Sequence, residues 1–300
     1  MSTTPSAVRA GLALVEAVTG LETAARVPLQ VRVGIGTGLV RLLDVIAGVD
    51  SADPATAEAE GEIPSTYMAF LNRDAAMGRR IAVLRQACRP DASDPQVLVI
   101  RPSCRRFVSC GGEDHRSFHH SGVRAVHAQA SSGQRSSSGD RTLSGEDRPT
   151  FPKTLSDIMA SGKFHPLHEV GLLETSTALA PDKDPVVEQL EADEARMRIA
   201  YLGAMDEMRI DVLAIPTATY PPRVNGDRDM STAGTRSGIA SALRWPAAVV
   251  PMGYTYENLP SGLQFIGRPW SEPILIEIAY AYEQVTQHRV PPSTVPPLRD

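Results

Sequence analysis

Apolar residues fall into two rhythms along this chain. Over Leu39-Val-Arg-Leu-Leu-Asp-Val-Ile46 they recur at helical spacing, and the run stops at Ala47-Gly48, where glycine suits the left-handed position after a helix. Residues 6 to 25 carry a looser version of the same pattern, with Val8, Leu12, Val15 and Leu21 roughly on one face. Thr154 to Ser161 reads as a short helix. Pro185 opens a longer one, in which Leu190, Met197, Tyr201, Met205 and Met208 mark a buried face and acidic residues crowd the first turns. A last helix follows Ser271, read as its N-cap, with Leu275, Ile278, Ala279 and Tyr282 at i, i+3, i+4 and i+7.

Between these helices lie short, continuous apolar runs bounded by turn residues. Gly78–Leu84, Gln96–Ile100, Val212–Ile215, Ala247–Val250 and Gly262–Ile266 read as strands, the last two joined through Glu257-Asn258. A strand apolar on both faces is covered on both faces, so the pattern predicts an α/β fold with a sheet flanked by helices. Asp50-Ser-Ala-Asp53-Pro54 reads as a turn, since Asp stabilises it locally and Pro fixes φ.

Residues 101–150 break the pattern. They hold ten serines, eight arginines and six glycines against one leucine and no isoleucine or methionine. Such a stretch cannot bury enough apolar surface to offset an ordering cost of about 1–2 kcal/mol per residue, which predicts a disordered insert. The resulting organisation is an N-terminal segment at 1–38, a first globular segment at 39–100, the insert at 101–150, a second globular segment at 151–292 and a Pro-rich tail at 293–300.

Composition narrows the function classes. Forty-two per cent hydrophobic and 22% charged residues suit a globular protein, and a net charge of −5 argues against nucleic acid or an anionic membrane as partner. No apolar stretch approaches the roughly 18 residues of a bilayer span. Three cysteines in 300 residues suit a reducing compartment, so the expected location is cytoplasmic. Lysine stands only at positions 153, 163 and 183, which limits where a catalytic lysine could lie.

Three constellations invite chemistry. Gly34-x-Gly36-x-Gly38 before a helix suggests phosphate binding by backbone N–H groups, but the G-x-G-x-x-G spacing and a clear preceding strand are missing, so a flexible helix entry explains it better. Cys104, Cys110, His115 and His119 offer two sulfurs and two nitrogens to zinc. The Cys spacing is too wide for the usual knuckle, and only four residues separate Cys110 from His115. Ala130-Ser-Ser-Gly133 and Ser136-Ser-Ser-Gly139 look like nucleophile loops, yet sit in the polar insert with no lysine before them. No cofactor, metal or catalytic residue is assigned.

One resemblance ties the globular parts together. Leu42-Leu-Asp-Val-Ile-Ala-Gly48-Val-Asp50-Ser-Ala-Asp53-Pro54, then Asp211-Val-Leu-Ala-Ile-Pro216-Thr217, then Trp245-Pro-Ala-Ala-Val-Val-Pro251-Met-Gly253, then Leu259-Pro-Ser-Gly-Leu-Gln-Phe-Ile-Gly267-Arg268, and a helix with Glu272 and Tyr280-Ala-Tyr-Glu283 resemble, in that order, the C-terminal portion of the amidase signature family. The likeness covers about Leu42–Leu84 and Phe151–Pro292. It implies an incomplete version of that family's mixed sheet flanked by helices and, by descent, hydrolysis of carboxamide C–N bonds. In the family a serine attacks, a second serine held in a cis peptide relays the proton, and an unprotonated lysine accepts it. A serine is a weak nucleophile without such a base, the lysine must be buried to lose its proton, and backbone N–H groups of a glycine-rich loop stabilise the oxyanion.

That machinery precedes the Leu42–Pro54 segment in the family. Here 41 residues precede it, without lysine or a Gly-Ser-rich loop, so the triad maps onto no position of this sequence. The resemblance therefore implies a truncated, catalytically impaired relative whose ancestral ligand was a small-molecule amide. Loss of part of such a fold exposes apolar faces and predicts self-association. The composition of 101–150, and of the opening forty residues, also fits an out-of-frame reading of GC-rich coding DNA. A non-catalytic binding or scaffold protein is the contrasting reading. A zinc or nucleic-acid module at 104–120 is a further one, disfavoured by the overall acidity.

Overall fold

The structure is a computed structural model that describes residues 37–84, 154–164, 166, 169–170, 172–173, 185–217, 238–255 and 259–290. Its centre is a four-stranded mixed sheet. The strands are β1 (Ile81–Val83), β2 (Val212–Pro216), β3 (Ala247–Thr255) and β4 (Leu259–Ile266), in the order β1-β2-β4-β3. β1 and β2 are parallel, with Ile81 opposite Val212, and β4 runs antiparallel to both β2 and β3. Hence β1, β2 and β3 all point the same way.

Helices cover both faces, as the doubly apolar strands require. Val212 and Ala214 of β2 point to one layer and Leu213 and Ile215 to the other, the period-two alternation of an extended chain. The first layer contains α1 (Thr37–Ile46), a 3₁₀ turn at Tyr67–Phe70 and α5 (Glu272–Thr286), with Val40, Tyr67, Phe265, Ile278 and Tyr282 in its core. The second contains α3 (Pro185–Glu207) and α4 (Gly238–Leu243), whose Met197, Tyr201, Met205 and Leu243 pack on Leu84, Leu213, Ile215 and Ile266. A short helix, α2 (Leu155–Ser161), carries a full capping box between Thr154 and Asp157.

Some local readings need correction. Gly48 does not take the left-handed conformation. The Ala47 N–H still bonds Leu43 O at 2.9 Å, and the chain then turns through Asp50, whose carbonyl accepts from Asp53 N at 3.0 Å. Ser271 occupies the N-cap of α5 but makes no side-chain cap bond. Its hydroxyl donates to Arg268 O at 2.6 Å instead. β3 and β4 are longer than their apolar runs because main-chain pairing continues past them to Thr255 and Leu259. The stretches 1–36, 85–153 and 291–300 lie outside the described residues, and with them the helix read at 6–25, the strand at 96–100, the insert and the tail.

Candidate functional site

Ligands of open α/β sheets sit beyond the carboxyl ends of the strands. In this sheet that edge is formed by Leu84 after β1, Pro216-Thr217 at the end of β2, and Pro251 to Gly253 of β3, facing Ser261 to Gln264 at the start of β4. The strand ends are held close. Thr217 N donates to Gly262 O at 2.9 Å, and the Thr217 hydroxyl donates to the same oxygen at 3.2 Å. A Cβ on Gly262 would lie 3.0 Å from Thr217 Oγ1 and 3.2 Å from Val249 Cγ1, so any larger residue would have to push these two side chains aside. The register shift between Pro251 and Gly253 bends β3 at the same end, and Gly253 takes φ 128°.

Gln264 is the polar residue of this niche. It lies opposite Ile215 on β2 and Val249 on β3, on the side-chain row that faces α3 and α4. It is buried, and its Oε1 has no hydrogen-bond partner among the described residues. A buried acceptor without a donor costs about 1–3 kcal/mol, so this atom is the most expensive polar feature of the edge. The edge itself has no pair able to activate a nucleophile among the described residues. The Thr217 hydroxyl is spent on a carbonyl, and the one lysine among the described residues, Lys163, is exposed on the turn after α2. Its backbone N–H, not its ammonium, contacts a serine: Lys163 N donates to Ser161 Oγ at 3.1 Å. An exposed side chain lacks the burial that a lysine base requires.

Titratable groups that burial does perturb lie on the other layer. Glu272 at the start of α5 is pushed up by burial, which its own backbone hydrogen bond partly offsets. Burial, then the Glu272 and Asp44 carboxylates, raise Tyr67. Glu283 is raised to about 7 by burial, against the attraction of Arg289. In the second layer burial holds the Tyr201 phenol well above its ordinary range. These groups belong to the packing of α1, α3 and α5.

Of the constellations read from sequence, Cys104, Cys110, His115, His119, both serine runs, Gly34 and Gly36 lie outside the described residues, and Gly38 falls within α1. Among the described residues no group of three metal-ligating side chains comes together, and no helix is long and apolar enough to cross a membrane. Sequence reasoning gave Gln264 a place in the Leu259–Arg268 motif but no role. Its signal is a single amide in an otherwise apolar inward row, Ile215, Val249 and Ile266.

Known proteins share these elements. A family model described as Amidase matches residues 37–276. A fatty acid amide hydrolase of Medicago truncatula is 37% identical over 100 residues, 30% of this chain and 16% of that protein. One subunit of the glutamyl-tRNA(Gln) amidotransferase of Acinetobacter baumannii (strain AYE) is 28% identical over 259 residues, 82% of this chain and 51% of the relative. Among solved structures, the peptide amidase PAM in complex with the competitive inhibitor chymostatin superposes with a TM-score of 0.66 at 29% identity, covering 84% of this chain and 53% of that one. The chain thus spans about half the length of the proteins it matches most extensively.

Proposed function

Since the chain belongs to the amidase family, we propose that it descends from hydrolases of carboxamide C–N bonds acting through a Ser–Ser–Lys mechanism, and that it is catalytically impaired. Its ancestral ligand class is the small-molecule amide. One observation carries this reading. Among the described residues the carboxyl edge of the sheet has no base beside a hydroxyl, and the Thr217 Oγ1 there donates to Gly262 O at 3.2 Å. The exposed position of Lys163 supports it, because a lysine base needs burial to lose its proton. In subtilisin, removing a catalytic unit of this kind costs on the order of 10⁶ in turnover.

The test uses the purified chain with a serine-directed fluorophosphonate probe, alongside ammonia release from simple primary carboxamides. Neither labelling nor turnover above the uncatalysed rate is expected. Stoichiometric labelling of one serine together with turnover would overturn the impairment. Saturable binding of a carboxamide without turnover would replace it with a non-catalytic binding role. The origin of the loss is read separately, by translating all frames of the coding DNA. A lysine segment and serine loop in a shifted frame upstream of codon 42 are expected, and their absence counts against frame damage.

A further inference from the structure

We draw no further inference here: the strongest candidate, the buried Gln264 carboxamide of β4 beneath the α3 and α4 layer, whose Oε1 has no partner among the described residues, belongs to the site already described, and nothing in the structure shows what donor would meet it.

Discussion

At the scale of single residues, two arginines stand where glycine is the usual choice. Arg209 (φ 53°) and Arg244 (φ 56°) hold the left-handed position after α3 and α4. Around each the main chain closes the same double bond. Ile210 N reaches Met205 O at 2.7 Å and Arg209 N reaches Asp206 O, while Trp245 N reaches Ala240 O and Arg244 N reaches Ser241 O. This is the Schellman geometry, with a buried apolar residue next in line. A side chain at positive φ costs about 1 kcal/mol. Arg209→Gly should therefore raise stability by about 0.5–1 kcal/mol in urea denaturation, and Arg244→Gly by less, because Arg244 also pairs with Glu194 at 3.3 Å. Gln264→Met removes the partnerless acceptor at nearly constant volume and should stabilise by about 1 kcal/mol. A loss instead would show that Oε1 has a donor in solution.

Glu283 gives the pH dependence its sign. Its folded value of about 7 stands above the ordinary 4.5, so the native state binds this proton more tightly than the unfolded chain. Stability therefore falls as pH rises from about 4.5 through 7 and is flat above. The side chain is only partly buried, and solvent reduces the effect to about 1–2 kcal/mol. Glu283→Gln should be more stable than wild type by that amount at pH 8 and equal to it at pH 4. Parallel urea titrations at the two values check the difference.

At the scale of elements, α1 is tied to the first layer through one carboxylate. Asp44 accepts from the Thr66 hydroxyl and from the Tyr67 N–H that opens the 3₁₀ turn, while Thr66 Oγ1 itself accepts from Met68 N at 3.1 Å. Asp44→Ala leaves the partly buried Tyr67 N–H without a partner and should cost about 1–3 kcal/mol. Hydrogen exchange at Tyr67 and Met68 should accelerate before exchange in β2.

Most of these elements were legible in the sequence, because doubly buried strands and amphipathic helices write their periods directly. α5 shows its buried face at Leu275, Ile278, Ala279 and Tyr282, and α3 at Met197, Tyr201 and Met205. Pairing was not legible. The placement of β4 between β2 and β3 depends on closures such as Gly262 against Thr217, which have no local period. The cap at Asp44 was hidden for the same reason, since its partners lie 22 and 23 residues away. The candidate edge was visible as motif words, Pro216-Thr217 and Pro260 to Gly267, but not as geometry. The amidase lineage came from the order of those words, not from any one of them.

At the scale of the whole molecule, the sheet couples its two helical layers. β2 sends Leu213 and Ile215 into one layer and Val212 and Ala214 into the other, all fully buried, so neither layer can lose its packing without moving the strand that both share. Leu213→Ala truncates the layer of α3 and α4, and Ile278→Ala truncates the layer of α1 and α5. Each side chain is fully buried, and each deletion should cost about 2–5 kcal/mol. Against a typical total of about 5–15 kcal/mol, either loss is large enough to move the whole transition. The layers can be read separately in a Trp270→Phe background, which leaves Trp245 as the single indole. Trp245 reports the second layer, where it packs edge-on to Tyr201 at 6.3 Å, and far-UV circular dichroism reports all helices. In a coupled molecule both variants shift the Trp245 fluorescence midpoint and the dichroism midpoint together, to lower urea. Two independent layers would behave otherwise, with Ile278→Ala splitting the dichroism curve while leaving the Trp245 midpoint in place. Ile199→Ala serves as the reference, because that side chain is exposed on α3 and its removal should move neither midpoint.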